Sequence, residues 1–432
     1  MCILLWTLPD SNHPRFKFAF ASNRDEFMGR ETSRAEFWDL DSILKRATRP
    51  EHPLGSQSIS NVGILSGQDL QPSNAANYII QETETTATGE EKVALALSTK
   101  DVPGTWLGIT TSGDLVALTN YRETMEYMAQ VRPPKLSRGK VCGEYLITMA
   151  AAHDSSESNV ADGRAEQWIK RRAIGWEDEF EGLNLLVLQN TGDQQWVSGN
   201  REGSELSIFK KSPEANTSNS QTILPGSVVG VSNSTFSRPW KKVEVGVQAL
   251  EKTLNNSIRL FGTGHHASLQ IQSPSESSSS LPEISSPAAE GELSKDDKRE
   301  LAWLVIEMLT LLRVNTKPFP KEDNADSVVM GLRERVFIPK VTMPETGHDY
   351  GTRSSSLVLF GRDNRLAVYV EKDWYGSLNE STRERPEYAA DSIEGLVWWQ
   401  GFVGQPRHDW RRVEGKELEA LIQSAKEVQD AS

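Results

Sequence analysis

Met1-Cys2-Ile3-Leu4-Leu5-Trp6-Thr7-Leu8 and Phe16-Lys17-Phe18-Ala19-Phe20-Ala21-Ser22, followed directly by Asn23-Arg24-Asp25-Glu26, decide how this chain is read. Ile3–Leu8 is apolar and aromatic and reads as a strand. Pro9-Asp10-Ser11-Asn12-His13-Pro14 is a cluster of turn formers. Phe16–Ser22 alternates large apolar with small or polar residues and reads as a second strand, so the two make a hairpin. With Leu8 paired to Phe16 across the turn, Cys2 falls opposite Ser22, and four polar residues emerge beside the terminus. A slip of one residue changes which side chain faces Cys2, not the neighbourhood.

That geometry has a chemical reading. Cysteine is small enough for methionine aminopeptidase to remove Met1. The mature chain then begins with Cys2, which carries a free amine and a thiol on one residue. The amine titrates at about 7.7–8.0 and the thiol at about 8.5. The amine therefore takes the thiol proton near neutral pH, and nucleophile and general base share one residue. Asp25 is placed to orient the ammonium, and Arg24 to balance Asp25 or to bind an acidic substrate.

Outward from the hairpin, segment 31–58 reads as mostly loop and Lys92–Leu97 as a short helix. Hairpins are expected at Trp106–Thr110 with Leu115–Leu118, at Leu183–Leu188 with Gln195–Ser198, and at Ser355–Phe360 with Leu366–Val370, each around a polar turn. Val228–Val231 reads as a buried strand. Residues 138–152, 164–173 and 298–313 read as helices, and Arg238-Pro239-Trp240 opens another to about 254. Hairpins separated by paired helices give an α+β layered fold. Residues 211–222 and 268–297 are Ser-rich inserts expected to be disordered, because such composition buries too little apolar area to offset chain entropy. The tail beyond about 415 reads as a peripheral helix.

The bulk numbers exclude several classes. The chain has 432 residues and a formal net charge of -13, with no basic run long enough for a nucleic-acid face. Two cysteines, Cys2 and Cys142, do not make a disulfide framework, and Cys142 reads as a small buried apolar residue. The opening residues lack the basic leader and cleavage site of a signal peptide. No apolar run reaches the roughly 18 residues of a membrane helix. No metal or cofactor is expected. Gly262-Thr263-Gly264-His265-His266-Ala267 lacks the strand–helix context of a dinucleotide site. His265-His266 lacks further ligands, and Ser137-Arg138-Gly139-Lys140 reads as a helix start. Trp398-Trp399 reads as packing.

Met1-Cys2-Ile3 with Ala21-Ser22-Asn23-Arg24-Asp25-Glu26-Phe27 resembles the opening of the NRDE, or transport and Golgi organisation protein 2, family. Further blocks agree in order. These are Gly104-Thr105-Trp106-Leu107-Gly108, Ala117-Leu118-Thr119-Asn120-Tyr121-Arg122, Ser137-Arg138-Gly139, Gly182-Leu183-Asn184-Leu185-Leu186, Gly230-Val231-Ser232-Asn233, Pro239-Trp240-Lys241-Lys242 and Gly351-Thr352-Arg353-Ser354-Ser355. The resemblance covers residues 1–375, the expected domain, with 376–432 as an extension packing on it or trailing it. It implies a four-layer αββα sandwich like that of N-terminal-nucleophile (Ntn) hydrolases of the bile-salt hydrolase and penicillin V acylase type. It places the nucleophile on Cys2, the acid on Asp25, the oxyanion pair on Asn120 and Asn233, and a late supporting arginine on Arg353, with Asn23 and Arg24 toward substrate. Arg24 follows Asn23 here, whereas the hydrolase motif has its arginine before an asparagine.

Two functions follow. One is a cysteine amidohydrolase for a small acyl amide or related acyl compound. The other is a non-catalytic lipid, acyl-CoA or haem carrier on the same fold. The family association points to Golgi organisation, protein secretion and lipid or haem homeostasis. The expected setting is cytoplasmic, with Golgi or mitochondrial association. A third, adaptor role would work through the Ser-rich insert.

Overall fold

The structure is a computed structural model that describes residues 2–9, 13–47, 62–71, 79–85, 91–98, 101–128, 130, 135–154, 164–172, 176–201, 206–210, 227–262, 293–314, 325–344, 346–362, 366–377, 385–389 and 392–431. The strands are β1 (Ile3–Thr7), β2 (Phe16–Phe27), β3 (Glu36–Phe37), β4 (Ile64–Ser66), β5 (Ile79–Thr85), β6 (Glu91–Ser98), β7 (Leu107–Thr110), β8 (Leu115–Asn120), β9 (Leu183–Gln189), β10 (Gln194–Gly199), β11 (Ser207–Lys210), β12 (Val228–Val231), β13 (Val341–Thr342), β14 (Asp349–Gly361), β15 (Leu366–Asp373), β16 (Leu396–Phe402) and β17 (Arg411–Arg412). The helices are α1 (Leu40–Ala47), α2 (Met125–Met128), α3 (Gly139–Asp154), α4 (Arg164–Arg172), α5 (Trp176–Glu179), α6 (Lys241–Phe261), α7 (Lys295–Leu311), α8 (Ala325–Glu334) and α9 (Gly415–Ala431).

Among the described residues, an eight-stranded sheet runs β12-β1-β2-β14-β15-β16-β17 with β13 beside β14, and a seven-stranded sheet runs β11-β10-β9-β8-β7-β4-β3. The pairings within both are antiparallel. Strand alternation sorts their side chains into three apolar layers. Leu4, Trp6, Phe18 and Phe20 of the first sheet meet Leu107, Ile109, Leu186 and Leu188 of the second. Ile3, Leu5, Ala19 and Ala21 point the other way, onto α6, α7 and α9 through Leu250, Leu301, Leu304 and Ile422. On the outer face of the second sheet, Val116, Leu185 and Val187 pack on α3 and α4 through Val141, Tyr145, Leu146 and Trp168. The product is an α+β, four-layer αββα sandwich.

Several expectations change in detail. The first hairpin pairs Ile3 with Asn23 and Leu4 with Ser22, two residues away from the expected register. His13 is the reason: its buried ring accepts the backbone N–H of Arg15 and Phe16 at 3.3 and 3.2 Å, and Thr7 Oγ1 takes the Ala19 N–H at 3.0 Å. The turn is therefore built around an imidazole and is longer than the sequence implies. A shift of two preserves the face of every side chain.

Lys92–Leu97 is not helical; it lies in β6, paired with β5 in a two-stranded sheet. Val93-Ala94-Leu95-Ala96-Leu97 alternates with period two, and pairing decided the case. Segment 31–47 holds β3 and α1 rather than loop alone. The helix opened by Pro239-Trp240 extends to Phe261. Residues 211–222 and 268–292 lie outside the described residues. The expected insert 268–297 is shorter at its far edge, because Ser294 Oγ accepts the Asp297 N–H at 3.1 Å and caps α7. From residue 376 onward the chain supplies β16 and β17 to the first sheet, and α9 packs on α7.

Candidate functional site

The first sheet delivers Cys2 from its interior. Strand β1 lies between β12 and β2, so the residue just before it is flanked on both sides. Cys2 Sγ points to the Asp25 carbonyl oxygen at 4.0 Å, and the Cys2 carbonyl accepts the Ser232 hydroxyl at 2.8 Å. The residue is buried but not sealed, at 8% exposure. Strand parity places it with Leu4 on the face between the sheets.

The quartet after β1's partner splits between two faces. Arg24 turns inward between the sheets, where its guanidinium stacks 4.1 Å from the Trp106 ring centroid and lies 3.4 Å from Glu26 Oε2. Asp25 turns toward the helices. Thr352 Oγ1 donates to Asp25 Oδ1 at 2.5 Å, Lys242 Nζ stands 3.7 Å from Oδ2, and Tyr350 donates to the Asp25 carbonyl at 3.1 Å. Asn23 also faces the helices. Its amide donates to the Leu312 and Val336 carbonyls, both at 2.8 Å, and its oxygen accepts from Ser355 at 2.5 Å. The structure therefore separates Asn23 from Arg24 and ties it to the backbone that ends α7.

Asn120 and Asn233 come together. The Asn233 amide donates to the Asn120 carbonyl, Arg122 N–H donates to the Asn233 carbonyl at 2.8 Å, and Ser232 Oγ lies 3.2 Å from Asn233 Oδ1. Ser232 thus touches both Cys2 and Asn233. The loop is fixed to the second sheet by Asn184, whose amide donates to the Ser232 and Ser234 carbonyls at 3.0 and 2.8 Å.

Arg353 sits at an irregularity in β14. Thr352 pairs with Asp25 and Ser354 with Arg24, which leaves Arg353 as the extra residue of a bulge. A bulge re-aims side chains locally. Arg353 donates to the Arg30 carbonyl and, at 3.2 Å, to Thr32 Oγ1. Burial, with Arg24 and Arg385 nearby, holds its guanidinium down to about 10. Beside this cluster, burial and the Asp373 carboxylate push the Glu371 carboxyl up.

Three contributors escaped the sequence reading as site residues. Lys242 is fully buried; burial lowers its pKa, while Asp25 and Cys2 raise it. Burial likewise lowers that of Arg138, against the opposing charges of Glu26, Glu181 and Cys2. Ser232 makes the contacts given above. All three lie in the family blocks quoted earlier, but a lysine pair at a helix start reads as solvated. Cys142, by contrast, is wholly buried in α3, and burial alone raises its thiol well above the ordinary range.

Among the described residues, no group of three or more His, Cys, Asp and Glu could hold a metal ion. His265-His266 and most of the glycine-rich segment at 262–267 lie outside them. Lys140 of the Ser-x-x-Lys pattern bonds the Val102 carbonyl, and Ser137 supplies a backbone carbonyl to the first turn of α3. Trp398 is buried under the helices, and Trp399 Nε1 donates to the Ala35 carbonyl at 3.0 Å. No helix among the described residues is long and apolar enough to cross a membrane.

Conjugated bile acid hydrolase from Clostridium perfringens is similar over 90% of this chain and 97% of its own, at 11% identity and a TM-score of 0.30. Penicillin V acylase from Agrobacterium tumefaciens is similar over 95% and 98%, at 10% identity and a TM-score of 0.25. The layer assignment stands on the chain's own strand order, not on these likenesses. The Transport and Golgi organization 2 homolog of Mus musculus is 24% identical over 267 residues, 60% of this chain and 67% of that protein. The Bos taurus homolog is 26% identical over 254 residues, 57% of this chain and 62% of that protein. The chain thus spans about two thirds of the length of these relatives. The family profile described as Transport and Golgi organisation 2 matches residues 1–47 and 41–376. On that match, which spans Cys2, Asp25, Asn120, Asn233 and Arg353, the chain belongs to the Transport and Golgi organisation 2 family.

Proposed function

We propose that the chain is a cysteine N-terminal-nucleophile amidohydrolase acting on a small acyl amide or related acyl compound. One observation carries the reading: Cys2 is held at its sulfur by the Asp25 carbonyl and at its own carbonyl by Ser232, whose hydroxyl also meets Asn233. Removal of Met1 leaves a primary amine on a residue already fixed in place.

In that form the amine takes the thiol proton as sulfur attacks the acyl carbon, and the carbonyl electron pair moves onto oxygen. The protonated amine then gives its proton to the amide nitrogen as the C–N bond breaks, which leaves a thioester on Cys2 and a free amine product. Water, deprotonated by the same amine, attacks the thioester. Sulfur departs with the returning proton, and the acid is released.

Asp25 orients the ammonium. Asn120, whose side-chain amide has no protein partner among the described residues, and Asn233 are assigned to the developing oxyanion. One such donor is typically worth roughly 10²–10³ in rate. Arg353 supports the nucleophile from the bulge. Arg24, with most of its fork uncommitted, receives an acidic group of the substrate. Asn23 acts from behind, by fixing the strand. The cellular setting carried from the family is transport and Golgi organisation, in the cytoplasm or on Golgi or mitochondrial membranes.

Intact-mass and N-terminal analysis of the native protein, with labelling by an acyl electrophile, tests the reading. A chain beginning at Cys2 and labelled there is expected. Retained Met1 overturns it, because the amine then sits on the wrong residue. A Cys2→Ala variant that fully restores a deletion phenotype moves the assignment to a non-catalytic lipid, acyl-CoA or haem carrier.

A further inference from the structure

Lys242 stands in the first turn of α6, yet it is 0% exposed, while Lys241 beside it faces solvent and pairs with Glu244. A wholly buried ammonium is costly unless it is paired. Its carboxylate neighbour is Asp25, with Oδ2 at 3.7 Å, and the Trp240 ring lies 5.8 Å from Nζ. The helix is brought close to the sheet here: a methyl group on Gly246, one turn along α6, would lie 2.8 Å from Leu5 Cδ1. Cys2 Sγ meets the carbonyl of the same Asp25 at 4.0 Å, so one residue stands between the buried cation and the sulfur.

We infer that Lys242 is a positioning residue for Cys2, fixing the Asp25 carboxylate behind the nucleophile and supplying positive charge where the sulfur becomes anionic. The inference rests on the proposed nucleophilic role of Cys2, but it concerns a group outside the set carried over from the hydrolases. Thr352 fixes one oxygen of Asp25 and Lys242 the other, so the carboxylate has one orientation.

The test is the rate at which iodoacetamide, a neutral probe, alkylates Cys2 at pH 7, read by peptide mass in the full-length protein. Cys142 serves as the buried internal control. Lys242→Met is expected to slow Cys2 roughly tenfold, the effect of removing one nearby opposite charge, and Lys242→Arg to stay within about threefold of the parent. Equal rates for Lys242→Met and the parent overturn the inference, and so does a Lys242→Arg rate as low as that of Lys242→Met, which would make shape rather than charge decisive. If circular dichroism shows Lys242→Met unfolded, the double variant with Asp25→Asn is compared with Asp25→Asn alone. A slower double variant supports the inference and an equal one overturns it. Alkylation needs neither turnover nor loss of Met1, so failure of the amidohydrolase reading registers separately, in the N-terminal analysis.

Discussion

The two faces of the first sheet use one short stretch of chain in opposite ways. On the helix side, Asn23 and Asp25 meet Leu312, Val336, Ser355 and Thr352 in short hydrogen bonds, and Lys242 in an ion pair. On the side between the sheets, Arg24 lies over the Trp106 ring with one long bond to Glu26, and the Cys2 sulfur makes a weak contact with the Asp25 carbonyl. Buried polar groups that are fully bonded fix structure; those left under-bonded are available to a ligand. The pleat, by alternating side chains, turns Asn23-Arg24-Asp25-Glu26 into a scaffold and a site at once.

The largest effect expected from breaking this division is at Cys2. Cys2→Ala should abolish acyl labelling and lower any amidase turnover by at least about 10³-fold, with little change in thermal stability. A labelled Cys2→Ala protein would move the chemistry elsewhere. On the opposite face, Asn23→Ala should cost about 3 kcal/mol, because two carbonyls and the Ser355 hydroxyl lose their partner in the interior. Denaturant unfolding measures it, and the Cys2 alkylation rate of the folded variant should change by less than about threefold. A comparable loss of reactivity with intact stability would join the two faces into one site.

Arg24→Leu should weaken binding of acyl substrates that carry a carboxylate by roughly tenfold, visible in KM, while a neutral ester is unaffected. The remaining effect concerns pH. Burial and Asp373 raise the Glu371 carboxyl to about 8, against roughly 4.3 when unfolded. The unfolded chain therefore gives up this proton first as pH rises. Stability associated with Glu371 is full below about 4.3 and is lost as pH climbs through the folded value. Glu371→Gln does not titrate, so its stability should gain on that of the parent as pH rises from 5 to 8. Urea melts at the two pH values decide it.

The hairpins were legible because polar turns separate runs of period two, as at Ser112-Gly113-Asp114 between β7 and β8. Cys2 with Asp25 was legible because adjacency in a hairpin survives a register shift. The shift itself was hidden, because nothing in the sequence announces that His13 will gather backbone N–H groups. The bulge at Arg353 was equally silent: Gly351-Thr352-Arg353-Ser354 reads as plain strand, and only pairing with β2 exposes the extra residue. Lys242 was missed for a related reason. Its burial depends on how closely α6 approaches β1, which is a property of packing between segments far apart in the chain.

The placement of β1 in the interior of its sheet has a consequence for biosynthesis. Its neighbours are Phe16–Phe27 on one side and Val228–Val231 on the other, and β2 in turn waits for Asp349–Gly361. As the ribosome extends the chain, the leading hairpin is complete early but stays unaccompanied until most of the polypeptide has emerged. During that interval both edges of the hairpin, later covered by β12 and β14, carry unpaired backbone groups open to other strands.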